Sequence, residues 1–239
     1  MTSRLLSLFW LRIKIILSNK ILFVQMVLPL VFVYLYKYVY GLNGELSYET
    51  KKTLLLLCLP FALFLAVGNP ISSVLSEEKE KGSLRTLFNC GVRNEEYILS
   101  TIVIPIILSV SYILIVPIIL EFNVSTNMLT YIFVAFLTSL VIISVYLLIG
   151  LFSKSQVMAQ VISLPITLLM TFLPVLANVN NTIDKINNFS FMGLITKLFN
   201  NWDSFWSTIS SIQFVSILFW LVIFVSLDML MVRKSRKLS

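Results

Sequence analysis

Apolar residues run through this chain in long blocks, with polar residues gathered in the stretches between them. Six blocks stand out, at 21–40, 54–75, 97–120, 129–152, 157–177 and 212–232. Each reaches the roughly 20 residues that a helix needs to cross the hydrocarbon core of a bilayer. In that medium the backbone must bond to itself, so the blocks predict six transmembrane helices in an all-α integral membrane protein. The short connection 153–156 makes the fourth and fifth a tight helical hairpin.

Residues 1–20 carry a different pattern. Leu5, Leu8, Phe9, Ile13 and Ile16 recur on one side of a helix, and Arg4, Ser7, Lys14 and Ser18 on another. This predicts an amphipathic helix lying in the interface, with Arg4, Arg12, Lys14 and Lys20 facing anionic lipid and no acidic partner nearby. A cleaved signal peptide is the competing reading. Against it, the next block is long, carries Pro29 and ends in Tyr34, Tyr36, Tyr38 and Tyr40 without a small-residue cleavage motif. Segment 178–211 is the longest connection. Its Trp202, Phe205 and Trp206 suit the headgroup level, and Asn188 to Asn200 has the makings of a short interfacial helix; an ordinary solvated loop is the alternative.

Charge sets the orientation. With both termini inside, Arg4, Arg12, Lys14, Lys20, Lys79, Lys81, Arg85, Arg93, Lys154, Arg233, Lys234, Arg236 and Lys237 are cytoplasmic, and only Lys51, Lys52, Lys185 and Lys197 lie outside. Basic residues at both ends require an even number of spans. The expectation is a multi-pass plasma-membrane protein with 76–96 in the cytoplasm and 178–211 outside, all one transmembrane domain. A composition of 58% hydrophobic and 12% charged residues in 239 leaves no room in this chain for a soluble domain. The net charge of +7 does not point to nucleic acid, because the basic residues sit at block ends rather than on one face. There is no His, so His-based metal sites and Ser-His or Cys-His catalysis are excluded, and no metal site or catalytic residue is expected. Cys58, in an apolar block, and Cys90, in a charged segment, are not expected to pair.

The most informative polar stretch is 76–96, SEEKEKGSLRTLFNCGVRNEE. Glu77, Glu78, Lys79, Glu80 and Lys81 favour a helix of mixed sign, Gly82 and Ser83 allow a break, and Leu84, Leu87 and Phe88 supply an apolar edge. The segment reads either as a helix docking in a partner's groove or as a solvated spacer between two spans.

The run Glu77-Glu78-Lys79-Glu80-Lys81-Gly82-Ser83-Leu84, following the second span, resembles the ABC-2 type permease family, in which an acidic stretch ending in Gly-Thr-Leu-Glu occupies this place. Ser83 stands where Thr is usual, and Arg85 where Glu is common. The six spans, the interfacial amino-terminal helix and the long final loop are similar too. The resemblance implies the type V ABC exporter fold and paired permeases, either two copies or a copy with a sister subunit, embedded among membrane lipids. It also implies a separate ABC ATPase subunit that binds ATP and Mg²⁺, this chain holding no cofactor of its own. That division fits a sequence without a G-x-x-x-x-G-K-[ST] loop. Ser76 to Arg85 would be the coupling element, comprising Glu77, Glu78, Lys79, Glu80, Lys81, Gly82, Ser83, Leu84 and Arg85, with Ser3 to Ser18 as a second contact.

In the resembling family the second and fifth helices line the central path at the dimer interface. The path candidates here are therefore Asn69 and Pro70 in the second span, and Ser163, Pro165, Thr167, Thr171 and Pro174 in the fifth. Polar groups in spans also serve as glue between helices, and proline permits bending. Asp228, deep in the last block, is expected to pair with Arg233 or Lys234, and Lys37 to snorkel toward the outer headgroups. A mainly apolar path suits an amphipathic or hydrophobic cargo such as a peptide toxin or bacteriocin, a drug or a lipid-linked molecule. Within the family, the small size and Ile-, Asn- and Lys-rich usage resemble permeases exporting antimicrobial peptides from Gram-positive bacteria. Two other classes compete with this reading. A membrane-embedded lipid-modifying enzyme would need paired acids, and only Glu77, Glu78, Glu80, Glu95 and Glu96 cluster, among lysines and arginine. An ion-coupled secondary transporter would need acids in several spans and an internal repeat.

Overall fold

A computed structural model describes residues 2–42, 44–124 and 127–237. Among them the regular elements are helices, and six are long and apolar enough to cross a membrane. Helix α1 (Thr2–Ser18) is followed at once by α2 (Lys20–Gly41), whose first free N–H groups are met by the Asn19 side chain, 3.1 Å from Ile21 N and 3.4 Å from Leu22 N. The second span is compound. It consists of α3 (Tyr48–Ala62), a widened π-helical turn (Leu63–Gly68) and α4 (Asn69–Glu80). Pro70 has no N–H to offer the carbonyl four residues back, and the turn before it takes a longer register in which Asn69 N–H bonds to Phe64 O.

The second span thus covers Tyr48–Glu80, well beyond its apolar block 54–75. The Glu77–Lys81 block is the end of this span and not a separate helix. Gly82, at φ +70°, ends it in the left-handed region that suits glycine, and the short α5 (Ser83–Asn89) follows. Then come α6 (Asn94–Ile119), α7 (Met128–Phe152) and α8 (Gln156–Ala177), capped by Ser155 through Met158 N at 3.2 Å. The connection after α8 holds α9 (Asn181–Phe189), α10 (Gly193–Asn200) and α11 (Phe205–Thr208), and α12 (Ser211–Lys237) closes the chain.

The second span and α7 form the centre, while α2, α8 and α12 turn most of their side chains outward. Outward residues such as Val161, Leu169, Val215 and Val222 are apolar, as contact with lipid tails requires. The two central helices approach closely. A Cβ on Gly150 would lie 2.7 Å from Leu75 Cβ and 3.0 Å from Ser72 Cα, and one on Gly68 would lie 2.6 Å from the Tyr146 ring.

The connection 178–211 corrects the expected interfacial helix. It forms three short helices, and Leu194, Ile195, Leu198 and Phe199 of α10 are fully buried against the bundle. Phe199 stacks on Trp202, itself buried, while Trp206 remains exposed. An amphipathic helix satisfies its apolar face as well against protein as against lipid, and here the bundle offers the surface.

Asp228 is also corrected. It is buried, and no hydrogen bond or ion pair holds it among the described residues; Arg233 is exposed, and the Lys234 side chain lies outside the described residues. Five residues on, an α-helix has turned about 140° beyond a full circle, so Arg233 leaves on another face. Lys37 does not simply snorkel. Its Nζ donates to Glu121 Oε1 at 2.7 Å, and Lys51 Nζ donates to the Glu121 carbonyl at 3.3 Å, tying α2, the start of the second span and the end of α6 together.

Candidate functional site

At the end of the second span, charged side chains bond to several neighbouring helices. Both oxygens of Glu78 are used: Oε1 accepts from the Arg12 guanidinium of α1, and Oε2 accepts from the Tyr97 hydroxyl of α6 at 2.7 Å. Arg12 Nη2 donates to Thr101 Oγ1 at 3.0 Å, and its guanidinium lies 5.0 Å from the Tyr97 ring centroid. Arg12 is 3% exposed and Glu78 6%. Arg12 has no acidic residue near it in the sequence; the fold supplies one 66 residues away. Burial works against the Arg12 charge, but Tyr97 and Glu78 outweigh it and hold the guanidinium above its ordinary value.

The neighbouring charges meet helix ends. Lys79 Nζ donates to the Leu151 carbonyl and, at 2.8 Å, to the Ser153 carbonyl, where α7 leaves its last C=O groups free. Glu80 Oε2 accepts from Gln156 N at 2.9 Å, where α8 leaves its first N–H groups free. Glu77 and Lys81 pair across one turn at 2.5 Å, and the hydrogen bond from Lys81 to Glu77 raises the exposed ammonium above its usual value. Ser83 Oγ donates to the Glu78 carbonyl at 3.1 Å.

The nine residues singled out from 77 to 85 therefore divide. Glu78 and Lys79 turn inward and Glu80 reaches across to α8, whereas Lys81, Gly82 and Ser83 are exposed together with Thr86, Asn89 and Cys90 of the same knuckle. Leu84 of α5 is buried, and the Arg85 side chain lies outside the described residues. This polar knot joins α1, α4, α6, α7 and α8 through one short segment.

The path candidates divide as well. Asn69, Ser163 and Thr167 meet in a crevice of about 320 Å³ between α2, the second span and α8. Ser163 and Thr167 are spent on their own helix: Ser163 Oγ donates to the Gln160 carbonyl at 3.1 Å, and Thr167 Oγ1 donates to the Ser163 carbonyl at 2.9 Å. Thr167 also meets the Tyr146 hydroxyl of α7. Thr171 lines an adjoining recess of about 160 Å³, which shares Phe61 and Leu168 with the crevice. Pro165 faces outward, Pro174 is buried without lining either space, and Pro70 lies beside Arg12 in a separate small recess. Two crevice residues escaped sequence reasoning, Gln25 and Gln160. Each is a carboxamide isolated in an apolar block, a signal available once every polar residue within a span is weighed.

The sequence model of the ABC-2 type transporter family matches residues 3–184, which spans α1 to α8 and both polar regions. The chain belongs to the ABC-2 type transporter family. No curated protein matches the chain. This ABC-2 protein is accordingly the multi-pass permease component of an ABC transporter, a kind of chain that is usually not catalytic itself and works with a nucleotide-binding partner.

Proposed function

We infer that this ABC-2 protein is the permease of an exporter, driven by a separate ATPase that docks on the exposed knuckle 81–91. Both termini and the knuckle face the cytoplasm, and two permeases pair to enclose the path. The observation that carries this reading is the bonding at Glu78, Lys79 and Glu80, by which one segment holds α1, α6, the end of α7 and the start of α8. A displacement of the knuckle is then transmitted to four helices as a rigid-body motion instead of being lost in a loop. The excess of Lys and Arg at this end supports the cytoplasmic orientation. Export of an apolar or amphipathic cargo agrees with a crevice that contains carboxamides and hydroxyls but no charged side chain.

The test is purification of the full chain in mild detergent from its native host, with identification of co-purifying ATPase and assay of its activity. Thr86→Trp places a large side chain on the exposed knuckle without touching the core. It is expected to lower ATPase co-purification or stimulation at least tenfold while the permease stays folded. Undiminished stimulation with Thr86→Trp, or a native preparation without any P-loop ATPase, overturns the docking assignment.

A further inference from the structure

Three side-chain carboxamides converge on the crevice between α2, the second span and α8: Gln25, Asn69 and Gln160. No hydrogen bond holds any of these side chains among the described residues. Asn69 is 8% exposed, and its Oδ1 is closed to water and without a partner; Gln25 Oε1 is in the same condition. Thr171, 1% exposed, leaves its Oγ1 unpartnered at the adjoining recess. Elsewhere in the spans, most serines and threonines return their hydroxyl to a carbonyl of their own helix. A carboxamide facing a crevice at membrane depth has no such outlet, and a lipid tail supplies none.

The chemistry of the lining selects the ligand. A carboxamide offers a donor and an acceptor side by side, and the group that answers both at once is another amide. An ion finds no counter-charge in the crevice, and a plain hydrocarbon leaves all three carboxamides unpaired. Between the amides the walls are Leu28, Phe61, Leu65, Leu164 and Leu168, which suit apolar side chains. Phe61 and Leu168 also border the recess at Thr171. We propose that this crevice binds an extended, uncharged apolar peptide through its backbone amides, with Gln25, Asn69 and Gln160 as the hydrogen-bonding residues.

This deepens the exporter reading by naming the cargo class, and it rests on that reading only for transport, not for binding. The probe is a short capped leucine–alanine peptide carrying a fluorophore, and binding is read by anisotropy on the full chain in lipid nanodiscs, with empty nanodiscs as the background. The expected result is saturable binding that falls about tenfold for Asn69→Leu and for Gln25→Leu, and further for the fully N-methylated peptide, which keeps the side chains but loses the donors. An aspartate in the middle of the peptide abolishes it. Gln160→Leu, at a half-buried position that tolerates replacement, gives a smaller loss and guards against misfolding of the buried variants. Equal binding of the N-methylated peptide overturns the proposal. So does a change in Asn69→Leu from dimer to monomer in light scattering without loss of peptide binding, which makes the crevice a seam between copies. ATP-driven uptake into inverted vesicles separates the two readings. Binding without uptake in the presence of the native ATPase sinks the exporter, whereas uptake indifferent to Asn69→Leu and Gln25→Leu sinks the site.

Discussion

At Glu78 a single carboxylate serves three helices, and that makes it the residue with the largest expected effect on stability. Replacing one member of a buried ion pair leaves the other charged and unpaired, which costs about 3–5 kcal/mol; replacing both with apolar residues costs far less. Glu78→Leu is therefore expected to lower the unfolding temperature of the detergent-purified chain strongly, and the double variant Arg12→Leu, Glu78→Leu to recover most of that loss. A double variant as unstable as the sum of the two single ones would show that the residues act independently. Neither partner was identifiable from the sequence, where Glu78 is one of three acids in a block of five and Arg12 one of four basic residues in its segment. Pairing between residues 66 positions apart is decided by how helices cross. Asp228 failed for a simpler reason, since Arg233, one of its two expected partners, lies at a spacing that an α-helix directs elsewhere.

The spans themselves were legible because the bilayer imposes length and apolarity on every one of them; five of the six blocks lie within helices of the structure, and the block 97–120 overruns α6 by one residue. What the blocks concealed was their ends. The second span continues through 48–53 and 76–80, where polar residues are tolerated because bonding partners on neighbouring segments wait for them. The burial of α10 was hidden for the opposite reason, as an apolar helical face does not say whether protein or lipid will cover it. Closeness between helices is set by small residues, and Gly150 gives the sharpest case. Gly150→Val is expected to push α4 and α7 apart and destabilise the bundle by about 1–3 kcal/mol, read as a lower unfolding temperature. An unchanged temperature would mean that the two helices slide to make room.

For the whole molecule, the end opposite the knuckle is closed by the contacts of Lys37 and Lys51 with Glu121. The hydrogen bond and charge of Lys37 hold the Glu121 carboxyl below its usual range. A group with a depressed folded value stabilises the protein above the ordinary carboxylate range and loses that contribution as pH falls through its folded value. Wild type is thus expected to exceed Glu121→Gln slightly in unfolding temperature near pH 6, with the gap closing as the pH is lowered toward 3 and narrowing in high salt, because the pair is exposed. A gap that widens with acid contradicts the assignment. At this scale the sequence conveyed the class of molecule and the place of the polar knot, while the crevice needed three helices to be brought side by side.

The widened turn at Leu63–Gly68 acts as a phase shift within the second span. Successive α-helical residues are separated by about 100° around the axis, and this turn holds one residue more than the regular pitch would take. Shortening it by one residue would leave α3 in place and swing all of α4 through about 100°. Glu78 would leave Arg12, Gly68 would leave the Tyr146 ring and Asn69 would quit the crevice in the same rotation. The crevice and the polar knot therefore share one angular setting.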